Sequence, residues 1–437
     1  MFKWFIKHRL EGYVKKYFKR HPNTKLVAVV GSVGKTTTRH SITTMLGGRF
    51  KLSGDTSDFN EQIAVPCSIL GVNYPDVKDL RKLSVWRTVF KACRFQAKNM
   101  EVDVVVQELG TDHPGEIPHF AKYLKPDITV VTAITPEHME SFKTLEAVAR
   151  EELALAPVSK KIMINIDDVP ANCLQSIDPG KVLLYGFDEH ADYSFRLKSG
   201  TPLKHYNGTF ISKKNGNLDM ENFMLVGEQN IRAGIAAFGV AMELGLEKEE
   251  IAKGLAELRP VSGRMNVLRG NQNSVILDDT YNSSPAAAIA ALRTLYETIS
   301  DQRIAVFGGM NELGEYAEKG HKDVAEFFDE RYLSALVTMG DMANKYFAPA
   351  ARQKGITVIE TKTPLEAGAA ANKLLNSAMG PVVLFKGSQG GIYMEEAVKV
   401  IVFETDEAKL VRQSDEWRAK KEYLYEQEFA TAETDDK

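Results

Sequence analysis

Cysteine is scarce: Cys67, Cys93 and Cys173 are the only three in 437 residues, and none forms a C-x-x-C pair. An odd count without metal-ligand spacing excludes a disulfide framework and a zinc site, and a reducing cytoplasm fits best. No apolar run reaches the length of a membrane span, and the N-terminus has no apolar signal core followed by a small-residue cleavage site. A dominant charge is also lacking: the net charge is −3 with 26% charged residues, which gives no global bias toward nucleic acid. No internal repeat is visible. What is left is a globular composition, 44% hydrophobic, on a chain long enough for two domains of unequal size.

The most informative stretch present is Lys25-Leu-Val-Ala-Val-Val-Gly-Ser-Val-Gly-Lys-Thr-Thr-Thr38. A β-branched apolar strand breaks into two glycines and opens a helix. That geometry aims backbone N–H groups and the positive helix end at one point, which suits phosphate oxygens. Gly31, Ser32, Gly34, Lys35, Thr36 and Thr37 are the candidate nucleotide contacts. Lys35 would reach the β/γ-phosphates and the Thr36 hydroxyl would ligate Mg²⁺. The fit to G-x-x-x-x-G-K-[ST] is incomplete, because its first glycine falls on Val29.

From His21 to about Val267 the pattern is α/β, with apolar strands at 26–30, 102–106, 128–131 and 162–166 alternating with helical segments, as in a mainly parallel sheet. Between about 191 and 226, Asn207-Gly208 and Asn215-Gly216 read as the turns of antiparallel hairpins. A second set of strands at 274–277, 304–307, 335–339, 356–359 and 382–385 predicts a smaller doubly wound, Rossmann-like domain. The expected division is a basic helix over 1–22, a P-loop central domain over 23–267 and a C-terminal domain over 268–437 with a charged tail. Residues 1–20 carry seven cations against the single acid Glu11, with Phe2, Ile6, Leu10, Tyr13, Val14, Tyr17 and Phe18 at spacings of three and four. Such a helix either lies on anionic lipid or docks its stripe on the following domain.

In open α/β sheets ligands bind where strands end. Glu108 follows the strand at 102–106 and is a natural Mg²⁺ ligand, and His138 follows the third strand, in Thr135-Pro-Glu-His-Met-Glu-Ser-Phe142.

The order of motifs resembles the Mur ligase family, ATP-dependent amide-bond ligases of cell-wall precursor synthesis. The pieces are Gly31-Ser-Val-Gly-Lys-Thr-Thr-Thr38, Phe59-Asn-Glu-Gln-Ile-Ala-Val-Pro66, Gln107-Glu-Leu-Gly-Thr111, His138 with Phe142, and Gly227-Glu-Gln-Asn230. They continue with Gly263-Arg-Met265, Asp278-Asp-Thr-Tyr-Asn-Ser-Ser-Pro285, Gly308-Gly-Met-Asn-Glu-Leu-Gly314 before His321, and Lys386-Gly-Ser388 before Met394-Glu395. The later pieces look most like the branch that adds D-alanyl-D-alanine to the UDP-muramoyl-tripeptide. The resemblance implies ATP and Mg²⁺ as cofactors, an acyl-phosphate intermediate, and attack by an amine to give an amide, ADP and phosphate. It implies metal contacts from Thr36, Glu108 and His138, and nucleotide contacts from Asn230, Arg264, Asp279 and Asn282. Arg264 would be directed to phosphate and Asp279 to the ribose. Asn60, Lys386 and Ser388 would meet the substrates, the last two by a carboxylate.

Three positions depart from the family. The lysine that is carbamylated to bridge metals is replaced by Glu152, with Glu151 one register away as an alternative. The base-recognition segment has Gln229 and Ala233 where the family has histidine and asparagine. Only about 25 residues precede the phosphate loop, where the family's D-alanyl-D-alanine-adding branch has a UDP-gripping domain. The expected function is thus an ATP-dependent carboxylate:amine ligase of peptidoglycan-type peptide synthesis. Its partners would be small-molecule peptide or amino-acid substrates, UDP-linked or not, with no nucleic acid and a monomeric chain. The alternatives are a ligase of another polymer such as poly-γ-glutamate, or a non-catalytic nucleotide-binding assembly factor at the inner face of the membrane.

Overall fold

The computed structural model describes residues 2–54, 62–76, 79–203, 205–407, 409–415 and 417–422. They divide into two compact units, one made mainly of residues up to Arg259 and the other mainly of those from Pro260 on.

The first unit is built on a nine-stranded sheet: β1 (Lys25–Val30), β2 (Leu52–Ser53), β3 (Val104–Glu108), β4 (Ile128–Val131), β5 (Lys161–Asn165), β6 (Val182–Gly186), β7 (Tyr193–Gly200), β8 (Tyr206–Ser212) and β9 (Gly216–Phe223). Their order is β2-β3-β1-β4-β5-β6-β7-β8-β9. β1 lies between β3 and β4 and pairs in parallel with both. The pairing turns antiparallel only at β7-β8-β9. β1 is a continuous buried run because both faces of a parallel sheet are covered.

The hairpin expectation holds at Asn215-Gly216, between β8 and β9, and fails at Asn207-Gly208, which sits inside β8 at a register shift. The glycine there answers to packing. A Cβ at Gly208 would lie 2.3 Å from Cζ of Phe195, whose ring packs with those of Phe210 and Phe223.

Helix α1 (Phe2–Arg20) turns Ile6, Leu10, Tyr13, Val14 and Tyr17 inward. It packs on α3 (Val65–Ile69) and α4 (Leu83–Asn99), while α2 (Lys35–Gly47) follows the phosphate loop. Glu11 is buried with its carboxylate 2.6 Å from His119 Nε2. The stripe of α1 is therefore docked, and Phe2, Trp4 and Phe5 at its start remain exposed. Among the described residues no helix is long and apolar enough to cross a membrane.

The second unit holds a six-stranded sheet of β10 (Asn266–Arg269), β11 (Val275–Asp279), β12 (Arg303–Gly308), β13 (Ala335–Met339), β14 (Thr357–Thr361) and β15 (Val382–Lys386), in the order β10-β11-β15-β12-β13-β14. All its pairs are parallel except the edge pair β10-β11.

Candidate active site

The glycines of the phosphate loop are fixed by what surrounds them. At Gly31 φ is +127°, and a Cβ would lie 2.3 Å from Thr132 Oγ1 and 2.8 Å from the Ala133 nitrogen, so no side chain fits there. Gly34 opens α2 in the left-handed region at φ 85°, and no side chain caps that helix. The Ser32 N–H donates to Ala133 O at 2.9 Å, and its hydroxyl donates to Thr135 O at 3.1 Å, which ties the loop to the chain leaving β4. A glycine-lined turn ahead of an uncapped helix fits a phosphate group.

Lys35 donates to Gly31 O at 2.6 Å and to Ser32 O at 3.0 Å, and its ammonium lies 4.0 Å from a Glu137 carboxylate oxygen. Thr36 donates its hydroxyl to Glu108 at 3.2 Å. Glu108 is the last residue of β3, in register with Val29, so its carboxylate emerges beside the loop. One turn along α2, Arg39 places Nε 3.5 Å from the other Glu108 oxygen. Positions three apart share a helix face, so Thr36 and Arg39 meet one carboxylate. Thr37 is buried on the same helix, and Asn230 is buried in the first turn of the helix Glu228–Glu243.

The two neighbouring glutamates have separate jobs. Glu152 is fully buried and accepts the Gly31 N–H at 2.7 Å, which puts its carboxylate against the phosphate loop. Burial pushes its carboxyl up to about 7, opposed by the Lys35 charge and the Gly31 N–H. Glu151 points the other way and accepts from the Thr111 hydroxyl at 3.2 Å and from the Gly115 and Ile117 N–H groups at 2.8 and 2.7 Å. It fastens the turn after Thr111 and does not face the loop. Glu151→Ala leaves the buried Ile117 N–H without an acceptor, and the expected result is a loss of about 1–3 kcal/mol of stability, measured by urea unfolding.

Glu152 also gives a pH dependence of stability. An acid with a raised pKa in the fold keeps its proton after the unfolded chain has lost it, so stability falls as pH rises from about 4.5 to about 7. Glu152→Gln removes that contribution. The stability difference, variant minus native, should shift in the variant's favour by on the order of 3 kcal/mol between pH 4 and 8, read from paired thermal melts.

His138 begins the short helix Met139–Phe142 at φ 50°, with Nε2 3.5 Å from Asp112. Among the described residues no three His, Cys, Asp or Glu side chains converge on one point that could hold a metal ion. Mg²⁺ at a nucleotide commonly takes one or two carboxylates and completes its shell with phosphate and water, and the Thr36–Glu108 pair fits that donor set. Asn60 lies outside the described residues.

In the second unit the structure gives Lys386 a place different from the expected grip on a substrate carboxylate. Lys386 and Asp279 end β15 and β11 in direct register. The Lys386 ammonium is buried, 2.8 Å from the Asp279 carboxylate, and also donates to Asp279 O at 3.3 Å and Asn282 O at 2.6 Å. Those contacts use all three ammonium protons. The other Asp279 oxygen accepts the Met265 N–H at 3.1 Å. The Ser388 hydroxyl donates to Asn282 Oδ1 at 3.0 Å, which also accepts from the Gln389 N–H. The network therefore holds the segment 278–282 in place. The Arg264 guanidinium lies over the Tyr281 ring at 4.1 Å.

Sequence reasoning missed several members of both sites. Glu137, beside Lys35, was visible only as one more acid in the loop after β4. Asp278 holds the turn at Gly263 through that residue's N–H at 3.1 Å, and burial pushes its carboxyl up to about 6. Arg412 pairs with buried Glu395 at 2.7 Å and donates to the Thr280 and Tyr281 carbonyls at 2.9 and 3.0 Å. No local signal marks Arg412, because its partners are distant in sequence.

A phosphate loop with a lysine at its helix start, a threonine–carboxylate pair and a second buried carboxylate, on a mainly parallel sheet accompanied by a smaller doubly wound unit, is the make-up of a nucleotide-using enzyme. The Mur ligase middle domain matches residues 29–241, and the Mur ligase glutamate ligase domain matches residues 263–389, together most of the chain. The chain belongs to the Mur ligase family and is an ATP-dependent amide ligase. The UDP-N-acetylmuramoyl-tripeptide--D-alanyl-D-alanine ligase of Bacillus subtilis is 26% identical over 401 residues, covering 89% of this chain and 78% of that relative. The enzyme of the same name from Borreliella burgdorferi is 27% identical over 69% of this chain and 59% of its own length. The fold is shared with the MurF crystal structure from Acinetobacter baumannii, at a TM-score of 0.73 and 22% identity, covering 90% of this chain and 80% of that one. It is shared also with the MurF ligase of Thermotoga maritima in complex with ADP, at 0.71 and 21%, covering 92% and 84%.

Proposed function

We propose that this enzyme joins a dipeptide such as D-alanyl-D-alanine to the terminal carboxylate of a muramoyl peptide, UDP-linked as in the relatives' names, in the cytoplasm. The observation that carries the reading is the convergence of Lys35, Thr36, Glu108 and Glu152 on one phosphate loop. Transfer of a phosphoryl group to an anionic carboxylate demands charge neutralisation more than covalent assistance. Lys35 exchanges its two carbonyl partners for phosphate oxygens. Thr36, Glu108 and Glu152, together with His138 as the resemblance implies, would hold Mg²⁺, which offsets the charge of the transferred group. The acceptor carboxylate takes the γ-phosphoryl group of ATP to give an acyl phosphate and ADP, and the amine then attacks the acyl carbon and expels phosphate.

Arg264 keeps the phosphate-directed role that the resemblance implies. Asp279, Asn282, Lys386 and Ser388 position the 278–282 segment, and Asn230 serves the nucleotide from its helix. The same reading gives the chain a peripheral contact with anionic membrane through residues 1–20. The test is phosphate release from ATP with UDP-linked muramoyl-tripeptide and D-alanyl-D-alanine, followed by mass spectrometry of the product. A panel with glutamate oligomers and free amino acids accompanies it. Product only from glutamate oligomers would move the enzyme to poly-γ-glutamate synthesis, and ATP binding without any product would leave a nucleotide-binding assembly factor.

A further inference from the structure

Eleven large hydrophobic side chains stand exposed among the described residues, and five of them lie on α1 and α4: Phe2, Trp4, Phe5, Leu83 and Phe95. Trp4, Leu83 and Phe95 are each more than 60% exposed. The two helices pack against each other, and the Arg9 guanidinium of α1 sits 4.8 Å over the Phe90 ring of α4. A shallow groove of about 470 Å³ is lined by side chains of both helices, so their outer faces form one surface.

That surface is cationic. α4 carries Arg87, Lys91, Arg94 and Lys98 and no acid, and their spacing of four, three and four places them along one side of the helix. α1 adds seven cations, and its only acid, Glu11, is turned inward onto His119. The whole chain has a net charge of −3, so the positive charge is concentrated here against an acidic remainder.

We propose that α1 and α4 together form a docking surface for a bilayer rich in anionic phospholipid. The proposal rests on the reading of residues 1–20 as a membrane contact and extends it to a second helix that no feature of the N-terminal sequence indicates. Cations on the surface meet the lipid phosphates, while the exposed aromatic and aliphatic side chains enter the interfacial region. The apolar part decides the partner. A nucleic acid would satisfy the cations but give Leu83 no apolar phase to enter. The inner stripe of α1 is buried, so deleting residues 1–20 would open the core, and surface substitutions are the clean probe.

The experiment uses the full chain and vesicles of phosphatidylcholine with or without about one-third phosphatidylglycerol, read by co-sedimentation. The native protein should bind the anionic vesicles and lose binding with added salt. Triple reversal Arg87→Glu, Lys91→Glu, Arg94→Glu should lower partitioning by at least ~30-fold, and Leu83→Ser with Phe95→Ser should lower it ~10-fold, with melting curves and ATP hydrolysis unchanged. Trp4→Ser with Phe5→Ser tests α1 separately. If the α1 variant loses binding while both α4 variants retain it, the two-helix surface is overturned and the contact through residues 1–20 stands. No binding by the native protein, equal binding to neutral vesicles, or binding to a short single-stranded RNA with none to vesicles overturns both.

Discussion

Glu152→Gln should lower the rate of ligation by on the order of 10²- to 10³-fold with the fold retained. The variant keeps shape, and its amide oxygen still accepts the Gly31 N–H that the carboxylate accepts at 2.7 Å. What it removes is a negative charge beside Lys35 and the phosphate loop. A glutamate needs no carbon dioxide, so removing bicarbonate leaves the native rate unchanged, whereas a carbamylated lysine forms from it. Glu152→Lys with added bicarbonate should recover part of the activity lost in Glu152→Gln. Normal turnover and ordinary Mg²⁺ dependence in Glu152→Gln would show that the metal is held without this carboxylate.

Lys35→Ala should reduce ligation by ~10³-fold or more, because the proposed mechanism uses this cation to neutralise the transferring phosphoryl group. The bonds it loses are to the carbonyls of the buried Gly31 and Ser32, and the carboxylates of Glu137 and Glu152 lose a neighbouring cation, so melting curves of the variant are read beside its activity. Single-turnover phosphate release separates this loss from weaker ATP binding, and activity above a few per cent of native would place the nucleotide elsewhere. Glu108 is better tested as Glu108→Gln than as alanine. Arg39, buried 3.5 Å from that carboxylate, would be left against a cavity by the shorter side chain.

Much of the architecture was legible from alternation of apolar strands and helical segments, since a parallel sheet buried on both faces requires continuous β-branched runs. The limits of those strands were less legible, for one repeated reason. The expected strands end at Val106, Leu277 and Phe385, whereas β3, β11 and β15 run on through Glu108, Asp279 and Lys386. Hydrophobicity stops where the chain turns polar, yet the ladder of backbone bonds continues until the polar side chain stands at the carboxyl edge of the sheet. The misplaced turn at Asn207-Gly208 has a comparable cause, because that glycine makes room for the Phe195 ring.

The sequence by itself determined the phosphate loop, the family and the presence of an unusual glutamate pair, because these depend on residue types at short spacing. Only the tertiary structure decided which glutamate faces the loop. Glu151 and Glu152 are adjacent on one helix, and neighbours on a helix project about 100° apart, so the pattern cannot say which points inward to Gly31 and which to Ile117. Likewise, Lys386 reads as a free cation until β11 and β15 are set side by side. The register of that pair places Asp279 against it and spends its charge inside the protein.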